Sequence, residues 1–288
     1  MNRVRPLRSA LYMPAANERA LEKAKTLDAD SVIFDLEDAV APDSKESARL
    51  AACAAASSGE YGPRELTIRC NGLDTPWGAD DLAAVAVSNA AAVVVPKVSS
   101  VAYLDQVAQR LAEAGAPSSM TVWAMIETPT AILDARAIAA HPSVSVLVMG
   151  TNDLARELQA PLAPGRAALL AHLATAVLAA REAGKVILDG VYNDVQDLQG
   201  FENECRQGVE FGFDGKTLIH PGQIDVANRA WAPSPEEIER ARRTIAAFEA
   251  AVAEGRGVAT LDGRMIENLH VVNAQRTLVT ADAIDSLA

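Results

Sequence analysis

The sequence predicts a closed (β/α)8 barrel carrying a C-terminal helical extension and lid, and three observations point to it. Short β-branched runs alternate with alanine-rich helical stretches from Ser9 onward, at roughly 30 residues per pair, the length of a βα unit. Several of the runs, "AAVVVP" and "SVSVLVMG" among them, are apolar on both faces, as expected of parallel strands covered by helices on both sides. There are eight such runs, the number that closes this kind of sheet on itself, with an open doubly wound sheet as the alternative.

The elements follow in order. Strands are predicted at Ser9 to Pro14, Ser31 to Asp38, Leu66 to Asn71, Ala92 to Lys97, Val122 to Glu127, Val144 to Gly150, Lys185 to Gly190 and Gly215 to Ile219. Between them, helical stretches run over Glu18 to Leu27, Lys45 to Ser57, Leu104 to Ala114, Ile132 to Ala139, Arg166 to Ala183 and Val195 to Glu210. The stretch "APSPEEIERARRTIAAFEAAVAEG" then reads as one long helix. Ser234 is its N-cap, Pro235 takes the first helical position, Glu237 closes a capping box and Gly255 stops it. A short amphipathic helix is expected over His270 to Ile284. The reading is therefore of a barrel domain over residues 1–230 and an extension over residues 231–288.

Composition removes several classes of function. Half of the 288 residues are apolar, yet the longest apolar runs are about eight residues against the roughly 20 that span a bilayer. "MNRVRPLRSALYMP" has no uninterrupted apolar stretch, so the expectation is a cytoplasmic protein with no membrane partner. A net charge of −12 argues against nucleic acid, whose binding depends on neutralising phosphates. Cys53, Cys70 and Cys205 are odd in number and scattered, which gives neither a disulfide framework nor a zinc site. No GxGxxG, P-loop or GxSxG pattern is present, so dinucleotide, ATP-cradle and serine-hydrolase readings have no support.

Barrel chemistry sits where strands end, and the charged residues obey that rule. Strand two closes in "FDLEDAV" with Asp35, Glu37 and Asp38, strand three in "TIRCNG" with Arg69 and Asn71, and strand four at Lys97. Strand five closes in "MIET" with Glu127, six runs into "GTNDL" with Asp153, seven ends in Asp189, and eight is flanked by Asp214, Lys216 and His220. Each carboxylate alone is more often a helix cap or a solvated loop charge. Together, following apolar runs directly, they favour a site in the mouth. An oxygen-rich donor set without paired histidines or cysteines suits Mg²⁺, which keeps waters and takes one or two carboxylates.

The stretches "RSALYMPAANERALEKA", "DSVIFDLEDAVAPDSKESAR", "IRCNGLDTPWGADDL", "VVVPKV", "MIETPTAILDARAIA", "VMGTNDLARELQ", "GFDGKTLIHPGQIDVAN" and "LDGRMIENLHVVNAQRTL" together resemble the HpcH/HpaI aldolase and citrate lyase superfamily, in its citrate lyase β-subunit-like branch. The resemblance implies a (β/α)8 barrel assembling as homotrimers or homohexamers. It further implies a Mg²⁺ ion, with Mn²⁺ as a substitute, on Glu127 and Asp153, with Glu37 and Asp38 holding metal-bound water. Arg69 matches the family's substrate arginine, Tyr12, Arg19 and Lys23 match positions that meet coenzyme A, and the backbone around Ile219 and His220 is a further contact. Arg19 and Lys23, four apart on one helix, share a face on which phosphates could rest.

The segment after the long helix resembles the family's lid, which closes over a neighbouring subunit and supplies an acid/base. The pattern of the carbon–carbon lyases has an Asp two places after Met; here "GRMIENLH" has Glu267, one methylene longer, with Met265 beside the substrate and His270 as a supporting partner. The wider resemblance is to thioesterases acting on (3S)-malyl-CoA, so hydrolysis of a malyl-CoA-type thioester is the leading expectation. Retro-Claisen cleavage of malyl-CoA or citramalyl-CoA, and a citrate lyase β-like subunit working on an acyl-carrier partner, are the alternatives.

Overall fold

A computed structural model describes residues 5–287. The chain divides into two compact units, one of Leu7–Ala230 and one that groups the described residues before Leu7 with the segment from Trp231 onward.

The first unit is a closed barrel of eight parallel strands in sequence order. These are β1 (Ser9–Pro14), β2 (Ser31–Asp35), β3 (Glu65–Arg69), β4 (Ala92–Val95), β5 (Thr121–Ile126), β6 (Val144–Met149), β7 (Val186–Asp189) and β8 (Gly215–Leu218), and β8 pairs back onto β1. Every expected strand is present, most of them a residue or more shorter at the C-terminal end than the sequence suggested. The largest correction is β2, which stops at Asp35 because the side chain of Asp35 accepts the main-chain N–H groups of Glu37 and Ala39 and turns the chain out of the sheet. Glu37 and Asp38 are thus loop residues, not strand residues.

Period-two alternation sorts each strand. Ala10, Ile33, Val94, Met125, Val148 and Leu188 pack together in the barrel interior, with Tyr12 against them. Their neighbours one residue along, such as Val32, Phe34 and Leu147, face the helical layer and are equally buried. That double burial is what the unbroken apolar runs encode.

Around the barrel run α1 (Glu18–Ala24), α2 (Lys45–Ser57), α3 (Gly78–Ala86), α4 (Val101–Glu113), α5 (Pro129–Leu133), α6 (Ala135–Ala140), α7 (Thr151–Glu157), α8 (Leu170–Glu182), α9 (Leu198–Phe211) and α10 (Ile224–Ala230). The helix expected from Arg166 begins instead at Leu170, since Arg166 has a left-handed backbone (φ 51°) and a buried, ion-paired side chain. No described helix is long and apolar enough to cross a membrane.

The second unit consists of α11 (Pro235–Ala253), an antiparallel hairpin of β9 (Ala259–Leu261) and β10 (Arg264–Ile266), and α12 (Asn268–Asp285). Ser234 and Glu237 close the capping box on α11 as expected. The hairpin turns at Asp262 and Gly263, both with positive φ (50° and 73°), the pairing that two-residue hairpins demand. Ala251, Ala259, Ile266 and Val271 form the unit's own small core.

Candidate active site

Alternation brings Tyr12, Asp35, Arg69 and Glu127 to the same mouth, one or two residues beyond the interior core positions of β1, β2, β3 and β5. Asp35 and Arg69 are direct partners in the β2–β3 register. The guanidinium grips that carboxylate with two parallel hydrogen bonds, Nε and one terminal nitrogen donating at 2.6 Å each. Its other terminal nitrogen reaches Glu37 at 2.7 Å and Asp38 at 3.4 Å. The face of Tyr12 lies 4.7 Å from the guanidinium carbon, a cation–π contact that completes the cage. Burial keeps the Tyr12 phenol protonated, opposing the pull of Arg69.

Glu127 is the mouth's most deeply held carboxylate outside that cage, 2% exposed. It receives one hydrogen bond, from the main-chain N–H of Lys97 at 2.7 Å, and Lys97 adopts a left-handed backbone (φ 49°) in doing so. Its other oxygen lies against Gly150, where any β-carbon would overlap it, so glycine is required at the end of β6. Burial pushes the Glu127 carboxyl up to about 8, with Glu37 and Asp153 adding to the shift. Burial likewise raises Glu37 to about 7, against the attraction of Arg69. Asp153 stands in the first turn of α7 and pairs with Arg156 at 2.6 Å.

These groups surround a cavity of about 390 Å³ whose lining includes Tyr12, Asp35, Asp38, Arg69, Glu127, Asp153 and Ile219. Apolar walls come from Pro14, Met125, Met149 and Val191. The Thr151 hydroxyl, buried in the same wall, has no hydrogen-bond partner.

The other expected residues are distributed less evenly. Arg19 and Lys23 are on α1 with exposed side chains and are not among the residues lining the cavity. The main-chain N–H groups of Ile219 and His220 both donate to the Gln223 side chain, at 3.1 and 3.3 Å, and the His220 ring accepts from Gly222; this stretch caps its own turn and leaves only the Ile219 side chain at the cavity. Asp189 and Lys216 lie one residue out of phase with the interior positions, so they point into the helical layer. Met265 and Glu267 belong to the second unit: Met265 is 59% exposed on β10, and Glu267 is the N-cap of α12. The His270 ring accepts from the Glu267 main-chain N–H at 3.0 Å, so it supports the backbone of Glu267 and not its carboxylate. Asp35, Gly150 and the Lys97 main chain were not assigned roles from sequence. The alternation Ile33–Asp35 was the available signal for the first, and the other two are visible only in three dimensions.

Fold and mouth define a (β/α)8-barrel enzyme with an acidic pocket anchored on a guanidinium. Within that class the chain belongs to the HpcH/HpaI aldolase/citrate lyase family, whose pattern matches residues 8–221. It is 51% identical to a (3S)-malyl-CoA thioesterase of Cereibacter sphaeroides over 97% of this chain and 96% of that protein. It is 35% identical to the citrate lyase subunit beta of Escherichia coli over 97% and 95% of the two chains. Its fold matches the crystal structure of CitE from Mycobacterium tuberculosis in complex with magnesium, acetoacetate and coenzyme A with a TM-score of 0.79 at 31% identity, covering 96% of this chain and 98% of that one.

Proposed function

We propose that this protein is a Mg²⁺-dependent thioesterase that hydrolyses a malyl-CoA-type 3-hydroxyacyl-CoA, with (3S)-malyl-CoA giving malate and coenzyme A. The observation that carries the reading is the 51% identity with a (3S)-malyl-CoA thioesterase along nearly the whole of both chains. The mouth supports it chemically.

A metal fits the donor set. Glu127 is a buried carboxylate with a single hydrogen bond and, among the described residues, no cationic side chain bonded to it. Two carboxylates, Glu127 and Asp153, with water and substrate oxygens completing the shell, are what Mg²⁺ takes. Magnesium in the complex of the related CitE agrees. When bound there it supplies Lewis-acid polarisation of a substrate oxygen.

The chain's own residues do the rest. Arg69, fixed by Asp35 and Tyr12, offers its outer edge to the substrate carboxylate or carbonyl, and charge developing there meets donors already in place. Glu37 and Asp38 hold water beside Glu127. Tyr12, Arg19, Lys23 and the Ile219 side chain line the path of the coenzyme A arm, with Met265 arriving on the lid of a neighbouring subunit. Glu267, brought by the lid of a neighbouring subunit in a homotrimer or homohexamer, takes a proton from the attacking water as the C–O bond forms. It returns that proton to the sulfur as the C–S bond breaks. The protein is cytoplasmic in this reading, and Mn²⁺ substitutes for Mg²⁺.

Incubation of purified protein with malyl-CoA and Mg²⁺ tests the reaction. Malate and free thiol without glyoxylate are expected. Glyoxylate with acetyl-CoA would instead make it a lyase, and inactivity toward free CoA esters with copurification of two companion subunits would make it a citrate lyase component.

A further inference from the structure

The motif "APDSKESAR" begins α2, and its lysine has no part in the chemistry described above. Lys45 is 6% exposed, and its ammonium donates three hydrogen bonds of 2.7 Å each, to the carbonyls of Leu36 and Glu37 and to the side-chain oxygen of Asn71. An ammonium has three donors, and all three are used. Burial lowers its pKa, and nearby carboxylates, Asp35 first among them, oppose that shift. The Trp77 ring covers it at 5.1 Å.

The acceptors are placed on the two segments that bear the mouth's charged residues. Leu36 follows Asp35, Glu37 carries the carboxylate on Arg69, and Asn71 stands two residues after Arg69. Asn71 in turn donates to the Leu36 carbonyl at 3.0 Å and to Asp81 at 2.6 Å, and Arg49 of α2 closes the ring onto Asp81 at 2.6 Å. Asp35 and Arg69 pair across the sheet, and the Leu36 N–H donates to the Arg69 carbonyl at 2.9 Å, but beyond Leu36 the turn has left the sheet and its Glu37 and Ala39 N–H groups go to the Asp35 carboxylate. The Lys45 ammonium adds a tie from the Glu37 carbonyl to Asn71 at the end of β3.

We propose that Lys45 is a positioning residue for the reaction: by tying the turn after β2 to the end of β3 it sets the Glu37 carboxylate against Arg69. It does not line the cavity and acts only through those residues. This inference rests on the reading of the mouth as the active site. A side chain remote from the reacting atoms can matter this much because a displacement of about 1 Å at a catalytic group costs on the order of 10²-fold in rate.

The test is a double-mutant cycle of Lys45→Met and Glu37→Gln, with kcat and KM for malyl-CoA measured well below each variant's melting temperature. Lys45→Met is expected to lower kcat by roughly 10- to 100-fold per folded molecule with KM changed less than about twofold, and the double variant to be no worse than about threefold below the weaker single variant. A wild-type kcat in folded Lys45→Met, or losses that multiply in the double variant, would overturn the proposal and leave Lys45 as a stabilising residue only. Should Lys45→Met fail to fold, Lys45→Arg takes its place with the same two outcomes, since a planar guanidinium keeps the charge but cannot meet three converging acceptors. Failure of the underlying site reading would look different: Glu127→Gln would then turn over as the wild type does.

Discussion

Two groups of buried charge can be compared within the barrel unit. On the outer wall, Asp189 meets Lys216 at 2.8 Å and Arg166 at 2.7 Å, and Glu204 meets the same two cations at 2.8 and 3.4 Å. Two anions and two cations pair with one another there. At the mouth, Glu127 is as deeply buried but receives one hydrogen bond and, among the described residues, has no cation in a salt bridge with it. Burial raises the Asp189 carboxyl, yet Lys216 and Arg166 more than reverse that and hold it below the usual carboxylate range. Burial raises Glu127 to about 8, and the Lys97 hydrogen bond and the Arg69 charge offset only part of it. Complete pairing marks charge that holds a fold; incomplete pairing marks charge that awaits a ligand.

The largest effect tests whether that criterion is sufficient. Glu267 is only half-buried and caps a helix, so by pairing alone it would be unremarked. Its proposed proton transfer predicts that Glu267→Gln lowers hydrolysis by roughly 10²- to 10⁴-fold. Steady-state rates within twofold of wild type would remove it from the mechanism.

Glu127→Gln comes next. If Glu127 is the metal ligand proposed above, its loss should lower kcat/KM by at least about 10²-fold, since even the partners that merely orient such ligands contribute 10- to 100-fold. The melting temperature should stay level or rise, because a buried carboxyl with a single hydrogen bond is removed. A large fall in melting temperature with activity retained would put Glu127 in the structural group.

The outer wall should behave the opposite way. Lys216→Met leaves two buried carboxylates short of a cation, and urea denaturation should find about 3–5 kcal/mol lost, with kcat per folded molecule within about twofold. The smallest effect is a slope. Because Asp189 titrates lower when folded than when unfolded, its stabilisation is complete above the unfolded carboxylate pKa and drains away as pH falls below it. Asp189→Asn lacks that contribution at every pH, so its stability should fall less steeply on acidification than the wild type's.

Much of this was legible in the sequence. The eight strands announced themselves as apolar runs because both faces of a parallel barrel are covered, and Ser234, Pro235 and Glu237 spell out the start of α11. The helices α3 and α10 carry a weaker signal. In α3, Gly78, Asp80 and Asp81 look like loop residues, yet Asp81 is fully buried as a partner of Asn71 and Arg49. Asp153 reads as a possible cap for a helix after "GTN" and stands instead inside the first turn of α7, and α10 follows a proline turn. The hairpin's Asp262–Gly263 pair was a usable signal, read only as a turn. Asp189 and Lys216 were placed at strand ends without asking which way alternation turns them. The pairing of Lys45 with Leu36, Glu37 and Asn71 could not be read, since it joins residues up to 26 apart through tertiary contact.

The central claim is that Glu127 and Asp153 hold a divalent cation beside Arg69 and that turnover depends on it. The most direct measurement is malyl-CoA hydrolysis by metal-stripped protein titrated with Mg²⁺ and then with excess EDTA. The account predicts that activity appears with Mg²⁺ and vanishes with EDTA; full turnover in excess EDTA would contradict it.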